Sequence, residues 1–248
     1  YGYINNNRWR MDSSIIYRFL LIFFIFASPA HSIKFQGKFI QGHFILGKTD
    51  PNVRILIGKK EIKVSQDGNF VFGIDRDQKY DLTFTKIVDG KKNIITKRVL
   101  KRKYKIQRID GLPENKVTPP ESVYKRIKKE NNAIGEARAI NSNLQFYKNK
   151  FIMPVEGIIS GVYGSQRILN GKPRRPHYGI DFHAPEGTPV KAMMDGEVTL
   201  AENDMYFTGG TLIFDHGHGI STLFMHMKDI NVKVGQKVKR GEIVGTLG

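Results

Sequence analysis

His177 and Asp181 stand four residues apart in the stretch Arg174-Arg175-Pro176-His177-Tyr178-Gly179-Ile180-Asp181-Phe182. An imidazole nitrogen and a carboxylate oxygen are ordinary zinc donors, each sitting about 2.0–2.2 Å from the ion. On a helix, residues i and i+4 share a face, but Pro176 and Gly179 disfavour a helix here. A fully extended strand would hold the two residues about 13 Å apart, too far for one ion. Convergence therefore requires the chain to fold back between them, and Gly179 can take the backbone angles that this needs. The expectation is His177 on a loop and Asp181 at the start of a strand. A surface turn in which His177 only hydrogen-bonds Asp181 satisfies the same spacing.

Five of the seven histidines fall in the last third of the chain, at 177, 183, 216, 218 and 226. His216-Gly217-His218-Gly219 has alternating histidines, but its glycines read as a turn between two strands rather than as a rigid ligand pair. His226 lies in Ser221-Thr222-Leu223-Phe224-Met225-His226-Met227. By pattern alone it is a strand histidine.

The elements that must position these residues are mostly strands. Asp67-Gly68 and Asp89-Gly90 separate short apolar runs and predict hairpins, Glu61–Val64 with Phe70–Phe72 and Leu82–Ile87 with Ile94–Val99. Residues 33–106 thus read as a small antiparallel β-sandwich module. It is taken as a spacer with solvated basic faces in preference to a wall-binding or positioning module. Residues 107–150 read as a linker: prolines 113, 119 and 120 interrupt the pattern. Thr118-Pro119-Pro120-Glu121 has the form of a capping box opening a mostly polar helix over 121–139. Its apolar face is only Val123, Ile127 and Ile134, the mark of a weakly packed strut or of a plug over the cleft. Residues 151–248 return to strands, expected at 157–163, 180–182, 189–199, 211–214, 221–227 and 238–244.

Of the 248 residues, 40 are Lys or Arg and 23 are Asp or Glu, a formal charge of +17. That excess favours anionic partners. No zinc-finger, helix-turn-helix or aromatic RNA-binding signature accompanies it, so no nucleic-acid partner is expected. There are no cysteines, which excludes disulfides, thiol nucleophiles and a lipidated cysteine. The segment Met11 to Ser32 carries Arg18, the apolar run Phe19 to Ala27 and small residues near its end, so residues 1–32 read as a short upstream stretch plus a secretory signal peptide starting at Met11. Its apolar run is short for a spanning helix, although Ile15 and Ile16 extend it toward an uncleaved anchor. The protein is expected to be exported, periplasmic or associated with the cell envelope, without a stable membrane span once the signal is removed.

Three stretches, "PHYGIDFHAPEGTPVKAMMDGEV", "GGTLIFDHGHGISTLFMHM" and "VKVGQKVKRGEIVGTLG", closely resemble the lysostaphin-type (LytM-like) zinc endopeptidases over residues 151–248. "QGHFILG" and "SQDGNFVFGIDRDQ" resemble, less specifically, the β-module that precedes the peptidase in some exported bacterial members. The resemblance implies a mainly β chain whose C-terminal all-β domain hydrolyses the peptide cross-links of peptidoglycan with Zn2+. It places His177 and Asp181 on the family's two His-x-x-x-Asp metal ligands and His226 on its isolated catalytic histidine. His216 falls on a non-ligand His-Gly turn, and His218 matches no functional position. The third ligand and a second catalytic histidine belong to a His-x-His element expected beyond Gly248. The chain as it stands is accordingly expected to bind zinc poorly and hydrolyse nothing, and the complete protein to be active.

The partners implied are peptidoglycan stem peptides, whose carboxylates Arg167, Arg174 and Arg175 could hold, and anionic envelope polymers. A non-catalytic wall-binding regulator of the same fold is the alternative. A biotinyl- or lipoyl-like carrier ranks lower, because Asp195-Gly196 occupies the tip where a carrier needs its lysine.

Overall fold

A computed structural model describes residues 32–113 and 119–248. The signal segment before Ser32, and Thr118 of the expected capping box, lie outside the described residues.

The N-terminal strands are β1 (Lys34–Gln36), β2 (Phe44–Lys48), β3 (Arg54–Ile57), β4 (Lys60–Ile62), β5 (Asn69–Gly73), β6 (Leu82–Val88) and β7 (Lys91–Lys97). They form two antiparallel sheets, ordered β1-β2-β5 and β4-β3-β6-β7. Alternation sends Ile45, Phe70 and Phe72 from one sheet and Ile55, Leu82 and Phe84 from the other into a shared core. Phe35 meets Phe84 with ring centroids 4.9 Å apart, and Phe70 and Phe72 stack beside them. The sandwich expected from the sequence is present.

One of its two expected hairpins is present. Asp89 and Gly90, at φ 47° and 75°, join β6 to β7 with Val88 opposite Lys91, as a primed turn requires. Asp67-Gly68 does not link paired strands. Of that pair only Gly68 has a positive φ, and the turn closes locally through Gly68 N–H to Ser65 O. β5 then crosses to pair with β2, while β4 pairs with β3.

Next come β8 (Ile106–Ile109) and, after a 3-10 turn at Glu121–Val123, the helix α1 (Tyr124–Ala139). Pro120 caps the 3-10 turn without any side-chain hydrogen bond, so the capping chemistry read from the sequence is not used among the described residues. The C-terminal strands are β9 (Ile158–Gly161), β10 (Gln166–Leu169), β11 (Lys172–Pro173), β12 (Asp181–His183), β13 (Pro189–Lys191), β14 (Gly196–Met205), β15 (Gly209–Gly217), β16 (Ile220–Ile230), β17 (Lys237–Val238) and β18 (Ile243–Leu247). Six of them build one sheet, β13-β18-β16-β15-β14-β17. The runs 189–199 and 238–244, each expected as one strand, are split. In the first, Asp195 turns the chain and accepts the Arg240 backbone N–H at 2.8 Å.

Val198, Leu212, Phe214 and Val244 pack on one face of this sheet. On the other, Ala133, Ile134 and Ala137 of α1 sit against Leu200, Met205 and Ile213. The helix is thus a strut docked through a narrow apolar stripe. Arg126 fastens it further by donating to Glu130 at 2.6 Å and to the Asp204 carbonyl at 2.6 Å.

Of the "DHGHG" stretch, expected as a turn throughout, only His218-Gly219 turns; residues 215–217 complete β15. His218 and Gly219, at φ 53° and 75°, connect β15 to β16. Both histidines beside it are structural. His216 is fully buried, its Nδ1 at 2.7 Å from the Asp195 carbonyl and its Nε2 at 2.8 Å from the Thr222 hydroxyl. His218 is buried with Nδ1 3.2 Å from both the Tyr147 hydroxyl and the Lys63 carbonyl, and so links the two β regions.

Burial lowers the pKa of both histidines, and the neighbouring Lys63 charge lowers that of His218 further. Above about pH 6.5, the ordinary value, folded and unfolded states are both neutral and the full stability is present. As pH falls below that value the unfolded chain takes up protons that the native state refuses. Stability is then lost at up to about 1.4 kcal/mol per pH unit per histidine, until the depressed native pKa is passed. Urea midpoints should fall between pH 7.5 and 5.5, and His218→Asn, which keeps a residue tolerant of left-handed backbone, should flatten the slope. An unchanged slope in that variant would show that His218 does not titrate this way.

Candidate metal and peptidase site

β12 pairs antiparallel with β9, placing Asp181 opposite Gly161. The absent side chain at Gly161 is what admits the carboxylate: a Cβ there would lie 2.1 Å from Asp181 Oδ2. His177 sits on the loop before β12 and is 8% exposed. Its backbone is clasped on both sides, with His177 N–H donating to Ser165 O at 2.9 Å and Gly164 N–H donating to His177 O at 2.6 Å.

The imidazole and carboxylate converge, with His177 Nε2 2.9 Å from Asp181 Oδ1, a distance that suits a direct hydrogen bond as well as two donors poised for one ion. The fold-back does not use left-handed backbone at Gly179. That residue is absent from the positive-φ positions, and the clasp to Gly164 and Ser165 turns the chain instead. The Arg167 guanidinium approaches the other carboxylate oxygen, Oδ2, at 3.3 Å. Of the three arginines considered for substrate carboxylates, Arg167 is therefore committed to Asp181. Arg175 is exposed and borders an open groove of about 650 Å3, shared with Asn131, Ile134 and Arg138 of α1 and with Ser221.

His226 is exposed and does not complete a metal cluster with the pair: no group of three or more His, Cys, Asp or Glu residues poised for a metal occurs among the described residues. Its backbone is unusual for a strand. It has φ 60° at a register slip between β15 and β16, where Gly210 faces Met227 and Leu212 faces Phe224. Its N–H donates to Thr208 O at 2.8 Å and its carbonyl accepts from Gly248 N–H at 3.0 Å. A bulge with a left-handed non-glycine residue aims a side chain out of the strand and is characteristic of functional positions. Sequence periodicity carries no signal for it.

His177 and Asp181 fit a zinc ion as far as two residues can. The donor types are right and Nε2 and Oδ1 converge, while His177 Nδ1, the other ring nitrogen, is buried without the acceptor that a metal-bound imidazole usually has. The described residues offer no third ligand.

Residues 175–248 match the model of Peptidase family M23. Over 132 residues, 53% of this chain, the sequence is 36% identical to "Cell division protein DipM" of Caulobacter vibrioides, covering 20% of that protein. Over 73 residues, 29% of this chain, it is 42% identical to "Peptidoglycan DD-endopeptidase ShyA" of Vibrio cholerae, covering 17% of it. The aligned parts thus span about a fifth or less of these relatives' lengths. A crystal structure assigned to peptidase M23 from Pseudomonas aeruginosa superposes with a TM-score of 0.63 and 26% identity, covering 84% of this chain and 82% of that one.

Proposed function

Because residues 175–248 belong to peptidase family M23, we propose that the protein is an exported zinc metalloendopeptidase that hydrolyses peptide cross-links of peptidoglycan in the cell envelope. The observation that carries this reading is the convergence of His177 Nε2 and Asp181 Oδ1 to 2.9 Å inside the matched segment. Names of relatives, among them a peptidoglycan endopeptidase, support the substrate class.

In this reading His177 and Asp181 hold the metal. Zinc held there would supply a Lewis acid and would lower the pKa of a bound water toward about 7. Arg167 keeps the Asp181 carboxylate oriented, in the manner of an outer-shell partner. His226, exposed on its bulge, relays a proton to or from the reacting peptide. Arg175, with Arg138 across the groove, offers cations to the carboxylates of a stem peptide. The charge of +17 makes anionic envelope polymers a further partner.

The test is digestion of purified cross-linked peptidoglycan by the purified complete protein, because the described residues hold only two metal ligands, with new peptide termini identified by mass spectrometry. Products are expected with zinc present. They should vanish with a chelator and return on adding zinc back. No products under any metal condition, combined with stimulation of a separate hydrolase, would favour the non-catalytic regulator.

A further inference from the structure

The N-terminal module reaches into the loop that holds His177, although the sequence reads it as a spacer. Arg76, on the segment after β5, is 8% exposed, and its Nε donates to the Gly164 carbonyl at 2.8 Å across 88 residues of chain. The guanidinium is held by two further contacts and the Arg76 backbone by a third. Its NH1 donates to Asp77 Oδ1 at 2.6 Å, its Cζ lies 4.3 Å from the centre of the Tyr104 ring, and the Tyr104 hydroxyl donates back to the Arg76 carbonyl at 3.1 Å. The Tyr104 ring also packs against Gly164, where a Cβ would come within 2.1 Å of its Cε1 and 2.2 Å of its Cδ1. Gly164 therefore has a charged donor on its carbonyl, an aromatic ring on its α-carbon and the His177 carbonyl on its N–H.

We infer that Arg76, seated on Tyr104, is a positioning residue for the proposed metal site, holding the Gly164–Ser165 turn so that His177 faces Asp181. This rests on the zinc-peptidase reading for its consequence but not for its geometry. The path is short and wholly hydrogen-bonded: Arg76 to Gly164 O, Gly164 N–H to His177 O, His177 N–H to Ser165 O, and His177 Nε2 to Asp181. β8 reinforces it by pairing in parallel with β10, Gln107 opposite Arg167, which braces the strand that carries the arginine on Asp181. A charge-assisted bond to a buried carbonyl is among the stronger hydrogen bonds available. Shells behind metal ligands control affinity because they fix ligand orientation.

The experiment compares the wild type with Arg76→Met, which keeps the stem's packing but removes the donors, and Arg76→Lys, which keeps one charged donor. Three quantities are read: amide hydrogen exchange, zinc affinity against a chromophoric chelator, and kcat and KM on a cross-linked muropeptide. In Arg76→Met the Gly164 and His177 amides should exchange at least about tenfold faster while β14–β16 stay protected. Zinc should bind about tenfold more weakly, and kcat should fall more than KM rises. Arg76→Lys should recover most of each. Wild-type exchange and zinc affinity in Arg76→Met would overturn the inference. So would a loss of protection spread evenly over both β regions, which marks a mere tie between them. If the complete protein neither binds zinc nor cleaves, the peptidase reading fails, whereas inactivity of residues 1–248 alone is what two ligands predict. The localised exchange at Gly164 and His177 then still decides the positioning role.

Discussion

In the complete protein, Asp181→Ala should reduce zinc-dependent cleavage of cross-linked peptidoglycan by about 10^3-fold or more while lowering the melting temperature only modestly. Lewis-acid stabilisation by a metal supplies several kcal/mol to the transition state, and about 4 kcal/mol corresponds to about a thousandfold in rate. Removing one of two convergent donors forfeits most of that. The stability cost is modest because the pairing of Asp181, 46% exposed, with Arg167, 32% exposed, is partly solvated, so the main loss is the partner of the buried His177 Nε2, at about 1–3 kcal/mol. Partly solvated ion pairs contribute about 0–1 kcal/mol. The deletion also leaves the Arg167 cation facing the metal position unopposed, which further disfavours a divalent ion there. Cleavage assays, bound-zinc stoichiometry and thermal melts on the same preparations check this. Activity within tenfold of wild type would remove Asp181 from the metal site. A loss of activity that merely tracked unfolding would leave its role structural.

The half of the site that was legible is the half close in sequence. His177 and Asp181 are four residues apart, so chain geometry alone limits how they can meet, and the loop-then-strand arrangement followed. Arg167 was visible as a cation, but its commitment to Asp181 depends on β10 and β12 being brought together, which a 14-residue separation does not encode. Arg76 lies 88 residues from Gly164 and reads, in sequence, like any other basic residue of a basic module. The fold shows the same division. Asp89-Gly90 was read correctly because its turn joins adjacent strands. Asp67-Gly68 signals a chain reversal equally well, yet turn chemistry says nothing about which strand β5 pairs with afterwards. The left-handed backbone of His226 also escapes reading, because a bulge depends on the partner strand's register and not on local composition.

Gly217→Ala should destabilise the protein by at least about 3 kcal/mol, the range reached only when a backbone position is incompatible with any side chain. Gly217 has φ 93°, outside what L-residues adopt readily. A Cβ there would lie 1.6 Å from the Leu144 carbonyl oxygen and 2.2 Å from its carbon. Both are backbone atoms, so no rotamer change relieves the clash. Either the β15–β16 turn distorts or the segment around Leu144 lifts away. The segment is well anchored: the Ser142 carbonyl accepts from His218 N–H at 3.1 Å, and Tyr147 is buried with its hydroxyl against His218. Burial pushes the Tyr147 phenol up to about 12, in keeping with a ring held out of water. Lifting it would expose that ring, unseat His218 from Lys63 and loosen the bond between the two β regions in one step. For a chain of this size about 3 kcal/mol corresponds to roughly 6–12 °C in melting temperature. Calorimetry on Gly217→Ala beside Gly73→Ala, a glycine with open space around it, separates the clash from the general effect of removing a glycine. A shift at Gly217 no larger than at Gly73 would mean that the Leu144 segment does not hold this position in solution. The Arg76 and His218 contacts would then have to bind the module to the peptidase domain without it.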